Sequence, residues 1–218
     1  YNALRSGDQS FNRGQGAVCY FDEEVSPFVG FDYSLENGFD LLHQQLPQGR
    51  KILYATPGLL KSVAGWQILV AINGLQFVYQ GKRLEQPLSA LPIPLQTEHV
   101  SEMVQLATLT KPGPFGKRTI TFGHYHGIFS EGRLVAMTGQ RLHVQNYTEI
   151  SAVCTHPDHL GKGYAAALLQ HQVNFILDQG KHPFLHVRAD NTRAINIYER
   201  LGFTVSRGMN FYFMKKIG

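Results

Sequence analysis

Beyond residue 120 the chain alternates short apolar runs of strand length with stretches of helical period. Residues 125–129 and 133–142 read as the two arms of a hairpin around Glu131-Gly132, and 149–155 reads as a further strand. An amphipathic run at 166–177 predicts a helix, 184–188 a strand, and 192–201 a short helix ended by Gly202. Residues 203–205 and 210–214 read as closing strands. Before this series, Thr97 is placed to cap a helix running to about residue 109, with Val100, Met103, Val104 and Ala107 on one face. Lys111-Pro-Gly-Pro-Phe-Gly116 forces a loop.

The first part of the chain is less periodic. Strand patterns occupy 51–56, 66–72 and 75–79, the last two separated by Asn73-Gly74, a hairpin-turn signal; 33–45 can form a helix. Residues 87–96 hold three prolines within eight positions and read as a linker. The expected organisation is therefore a smaller N-terminal α/β domain, 1–95, and a C-terminal domain, 96–218, of mixed sheet flanked by helices: an α/β (α+β) chain. No internal repeat is evident by eye, although two α/β halves of similar size leave a diverged duplication open.

Composition is that of a globular protein, 43% hydrophobic and 17% charged over 218 residues. Charge is unevenly spread. Residues 1–95 carry 7 basic and 8 acidic side chains, residues 96–218 carry 13 and 8. A local surplus of this size suits a phosphorylated small ligand; a nucleic-acid binder needs a denser basic stripe. Cys19 and Cys154 are far apart and form no disulfide or zinc spacing. Without a long apolar run or a leader-like start, the expected setting is cytoplasmic, with no membrane and no nucleic-acid partner.

The chemistry concentrates at His159-Leu-Gly-Lys-Gly-Tyr-Ala165, between a strand and a helix. Two glycines there let backbone N–H groups face an anion, and the helix N-terminus adds partial positive charge. Tight strand-to-helix turns also need glycine for steric reasons alone. A P-loop is excluded because Lys162 is followed by Gly163, and a dinucleotide fingerprint is disfavoured because the next strand ends in Arg188.

A second segment, Asn191-Thr-Arg-Ala-Ile-Asn-Ile-Tyr-Glu-Arg-Leu-Gly-Phe203, completes a pattern with the first. Together they resemble the acyl-CoA signature of the GNAT superfamily of N-acetyltransferases: Arg/Gln-x-x-Gly-x-Gly/Ala, then Asn-x-x-Ala-x-x-x-Tyr-x-x-x-Gly-Phe. Asn191, Ala194, Tyr198, Gly202 and Phe203 match the second part; Gly163 and Ala165 match the first, with Gly161 as commonly seen, while Leu160 replaces the usual Arg or Gln. The resemblance spans roughly 97–218.

It implies an acetyl-CoA-dependent N-acetyltransferase acting on a primary amine, with acetyl-CoA as acyl donor and no metal. The implied coenzyme-binding set is Val153, Cys154, Thr155, Leu160, Gly161, Lys162, Gly163, Tyr164, Ala165, Asn191, Ala194 and Tyr198. The strand before the turn is expected to splay from its neighbour, with an amide of Val153 or Cys154 as oxyanion donor. Tyr198 is the expected acid for the departing thiolate and Glu149 the expected general base; each also has a plain reading, as a packing aromatic and a solvated strand-end charge. Asn191 can bind the pantetheine or cap the helix that follows. Cys154 can carry an acyl group, but a cysteine in an apolar strand is more often a small buried hydrophobe. The acceptor is expected to be a small or amino-acid-like amine; a non-catalytic acyl-CoA sensor and a protein N-acetyltransferase remain alternatives. The N-terminal region is expected to cover one side of the acceptor site or to support a homodimer, with a degenerate GNAT-like unit as its form. Phe115 is a candidate for acceptor selectivity.

Overall fold

The structure, a computed structural model, describes residues 1–218. Its strands are β1 (Val18–Tyr20), β2 (Phe28–Phe31), β3 (Lys51–Thr56), β4 (Trp66–Tyr79), β5 (Ile93–Pro94), β6 (His126–Ser130), β7 (Arg133–Val144), β8 (Tyr147–Thr155), β9 (His182–Arg188) and β10 (Phe203–Lys216). The α-helices are α1 (Gly38–Gln45), α2 (Val100–Thr110), α3 (Tyr164–Asp178) and α4 (Thr192–Arg200). All ten strands join one sheet, in the order β1-β2-β3-β10-β4-β9-β8-β7-β6-β5. The β2–β3 and β8–β9 pairs are parallel and every other pair is antiparallel. No helix is long and apolar enough to cross a membrane.

Strand β4 comes from the first 95 residues yet lies between β10 and β9. The Asn73-Gly74 hairpin expected from sequence is absent: β4 runs straight through it. Gly74 pairs with Met209 on one side and Arg188 on the other. A Cβ there would lie 2.7 Å from the Phe211 ring and 2.8 Å from the Val187 carbonyl oxygen. Glycine is used at this point for close approach, which a local pattern cannot distinguish from a turn.

Three further differences have local causes. The two closing strands merge into β10, which absorbs the Ser206 region as a bulge between Val205 and Arg207. The first helix begins at Gly38 rather than residue 33, because Asp32 accepts from both the amide and hydroxyl of Ser34 and holds a turn. The proline-rich stretch includes β5, a two-residue edge strand on β6, where a proline breaks no interior ladder. Glu131-Gly132 does form the turn between β6 and β7, with φ of 52° and 75°.

Helix α3 packs on the sheet through Leu168, Leu169, Val173 and Ile176, all fully buried. Each is worth roughly 1.5–3 kcal/mol of burial. Its outer face is tied to the segment after β4: Gln170 donates to the carbonyls of Leu84 and Gln86, Asn174 bonds the Leu84 backbone, and Asp178 pairs with Arg83. These contacts fix the helix whose N-terminus forms the site.

Candidate active site

Strands β8 and β9 pair only at Tyr147–Glu149 and then separate. At the same place β8 bulges against β7: the register shifts between Gly139↔Ser151 and Met137↔Cys154, and Ala152 adopts φ 54°. The His156 amide donates to the Val135 carbonyl at 2.7 Å. Amides alternate sides along a strand, so the Cys154 N–H also turns to β7 while those of Val153 and Thr155 turn into the gap. Val153, rather than Cys154, therefore presents the free amide.

The gap is part of one cavity of about 1060 Å³. At one end Gly161 and Gly163 take φ of 80° and 78°, and no atom lies near where a Gly161 Cβ would stand. Gly163 is the N-cap of α3, so the first α3 amides have no intrahelical partner and lie at the cavity. Farther along, Tyr198 is packed by the rings of Phe77 and Phe203. Burial pushes its pKa up to about 12. Its hydroxyl makes no hydrogen bond within the chain and is not sealed in the core, and the residue lines the cavity. Such a hydroxyl holds its proton at neutral pH and can donate it. Asn191 accepts from the Ala194 amide at 3.1 Å, capping α4, and also lines the cavity.

Beneath the splay a polar ladder crosses four adjacent strands. Arg141 on β7 donates to Glu149 on β8 through Nε at 2.9 Å and Nη2 at 2.7 Å. His186 on β9 donates from Nδ1 to the same carboxylate at 2.8 Å, and its Nε2 lies 3.0 Å from the Gln76 amide nitrogen on β4. Burial alone would raise the Glu149 pKa, but the Arg141 charge and the His186 hydrogen bond outweigh it and hold the carboxyl at about 2. Cys154 is pushed up to about 11 by burial, so its thiol is not a ready nucleophile.

The remaining wall comes from elsewhere: Phe28, Leu53 and Ile72 from the first 95 residues, Phe115 from the loop after α2, and Phe211 and Phe213 from β10. Comparison with known proteins bears on what this arrangement is. The family model described as FR47-like protein matches residues 125–212. A crystal structure of a GNAT-family protein from Novosphingobium aromaticivorans superposes with a TM-score of 0.91 at 29% identity, covering 100% of this chain and 96% of that one. The chain has the fold of GNAT-family acetyltransferases.

Two other GNAT structures share the fold. A GCN5-related N-acetyltransferase from Kribbella flavida has a TM-score of 0.66 at 17% identity, covering 99% and 93% of the two chains. A GNAT acetyltransferase from Colwellia psychrerythraea has 0.57 at 20% identity, covering 90% and 80%. No curated protein sequence matches.

In this GNAT-like fold the cavity brings together Val153, Cys154, Thr155, Leu160, Gly161, Gly163, Tyr164, Ala165, Asn191, Ala194 and Tyr198. Two residues singled out from sequence do not line it. Lys162 is exposed and does not line the cavity, although its Nζ lies 3.2 Å from Nδ1 of His159, which does. Glu149 is fully buried below the cavity, and neither the general base nor the solvated charge expected of it is what the geometry provides. With both oxygens engaged and a carboxyl at about 2, it is a counter-ion that orients Arg141 and His186. Arg141, His186 and Gln76 escaped the sequence reading. The available signal was a charged or titratable side chain inside an otherwise apolar strand run, which requires a buried partner. No group of three or more His, Cys, Asp or Glu is arranged to hold a metal ion.

Proposed function

We propose that the protein transfers an acetyl group from acetyl-CoA to the primary amine of a small molecule, by direct attack within a ternary complex. The observation that carries this reading is a single cavity joining the Gly161–Gly163 turn, the β8–β9 splay and the Tyr198 hydroxyl. The residues present fit the coenzyme: open space at Gly161, unpaired amides at the start of α3, and a stretch of β8 beyond Glu149 that no longer pairs with β9. When bound there, acetyl-CoA supplies the activated thioester. The amides at 163–165 hold the pyrophosphate through backbone groups, so Leu160 in place of a polar side chain removes little. Val153 N–H stabilises the oxyanion as the amine adds, an interaction worth several kcal/mol when the donor is fixed in advance. Tyr198 gives its proton to the departing thiolate. The buried Cys154 takes no acyl group.

The test is thiol release from acetyl-CoA across an amine panel, with coenzyme affinity measured separately by calorimetry. Tyr198→Phe lowers kcat by about 10²-fold or more while the CoA dissociation constant moves by less than about threefold. Failure of the wild-type protein to bind CoA at millimolar concentration would overturn the reading. Binding without turnover on any amine would leave a sensor.

A further inference from the structure

The composition of the cavity wall restricts what can serve as acceptor. No Asp or Glu lines it; its charged groups are Lys111, Arg141, Arg188, Arg193 and Arg200. Arg188, Arg193 and Arg200 belong to the end of β9 and to α4, beside Asn191 and Tyr198. At the opposite end Arg141 stands among Phe28, Leu53, Phe115, Phe211 and Phe213. The Arg141 Cζ lies 4.8 Å over the Phe28 ring centroid. Its Nε and Nη2 are taken by Glu149. Nη1 makes no hydrogen bond in the chain and is not sealed in the core, so its donors face the cavity. Lys111, at the mouth of the same end, has no ion-pair partner within 4.0 Å and supplies positive charge that Glu149 does not offset.

We propose that the acceptor is a free α-amino acid with a large apolar side chain, its carboxylate on Arg141 Nη1 and its side chain among the phenylalanines. This rests on the acyl-transfer reading above. A polycationic amine entering this cavity would lose its hydration and find no carboxylate to replace it. A carboxylate finds a charge-assisted donor already oriented by a buried partner. Arg141 is balanced by Glu149 and Arg188 by Asp190, but the unpaired charge of Lys111 disfavours the ammonium form of the acceptor, leaving the free amine that reacts. Its nitrogen bonds the acetyl carbon, the carbon–sulfur bond breaks, the nitrogen loses one proton to solvent, the thiolate takes one from Tyr198, and Tyr198 regains its proton from solvent. The products are an N-acetyl amino acid and CoA.

The experiment compares kcat/KM for L-phenylalanine and L-leucine with phenethylamine, L-phenylalanine methyl ester and spermidine, using wild type and Arg141→Lys. L-Phenylalanine exceeds phenethylamine and the ester by about 10- to 100-fold. Arg141→Lys collapses that ratio to about threefold or less, because an ammonium is a compact point charge that lacks the guanidinium plane holding Glu149 along one edge and a second carboxylate on the other. If the variant is unfolded by circular dichroism, the wild-type panel decides alone. Equal rates for the amino acid and phenethylamine, preference for spermidine, or CoA binding without turnover on any of these amines overturns the acceptor assignment. Absence of CoA binding instead removes the acyl-transfer reading beneath it.

Discussion

Glu149→Gln tests the polar ladder directly. The wild-type carboxylate is fully buried and accepts three hydrogen bonds, two from Arg141 and one from His186. A glutamine keeps one acceptor oxygen but points an NH₂ group at donors, leaving the Arg141 charge uncompensated. The depression from 4.5 to about 2 corresponds to about 3 kcal/mol at roughly 1.4 kcal/mol per unit. Breaking a buried pair costs roughly 3–5 kcal/mol, which agrees. For a chain of this size a loss of about 3 kcal/mol lowers Tm by roughly 6–12 °C. The sign with pH follows from a folded pKa below the unfolded one. The contribution is complete above about pH 4.5 and is lost as pH falls toward 2. Urea unfolding of wild type and variant at pH 7, 5, 4 and 3 should therefore show a gap of about 3 kcal/mol at neutrality that narrows below pH 4.5. A gap under about 1 kcal/mol at pH 7, or one that stays constant down to pH 3, would refute the claim that an ionised Glu149 holds the ladder.

Other substitutions probe the backbone. Gly163→Ala forces a Cβ into a left-handed position 3.0 Å from the Ser89 hydroxyl oxygen, at a cost of about 1–2 kcal/mol. It should weaken CoA binding at least about tenfold by calorimetry, because displaced α3 amides no longer converge on the pyrophosphate; unchanged affinity would remove the turn from the binding site. Gly74→Ala should destabilise by roughly 1–3 kcal/mol in urea, since the Phe211 ring and the Val187 carbonyl must both move. A change below about 0.3 kcal/mol would show that the strands at this point are not in close approach.

Where the chain is locally patterned, its elements were readable: the β6–β7 turn at Glu131-Gly132 and the Gly-x-Gly start of α3 each follow from residues a few positions apart. The cavity residues around the turn, and Tyr198 with Asn191, were legible because two spaced motifs resemble a known family. Long-range pairing was not. Gly74 reads as a turn in isolation and becomes a contact point only when Phe211 and Val187 close on it from both sides. Glu149 looks like a strand-end charge until Arg141 and His186, eight and thirty-seven residues away, are folded against it. Phe28 and Leu53 carry no mark of ligand contact, since a side chain lining a cavity and one filling a core have the same apolar character.

The position of β4 has a consequence for synthesis. It leaves the ribosome about 100 residues ahead of β9 and about 125 ahead of β10, which at ~5–20 residues per second is roughly 5–25 s. Throughout that interval a fourteen-residue strand bearing Trp66, Ile68, Leu69, Val70 and Phe77 has neither lateral partner. The nascent chain thus carries an open, apolar edge until β9 and β10 emerge, and its yield in the cell should depend on a holding chaperone more than the stability of the finished sheet would suggest.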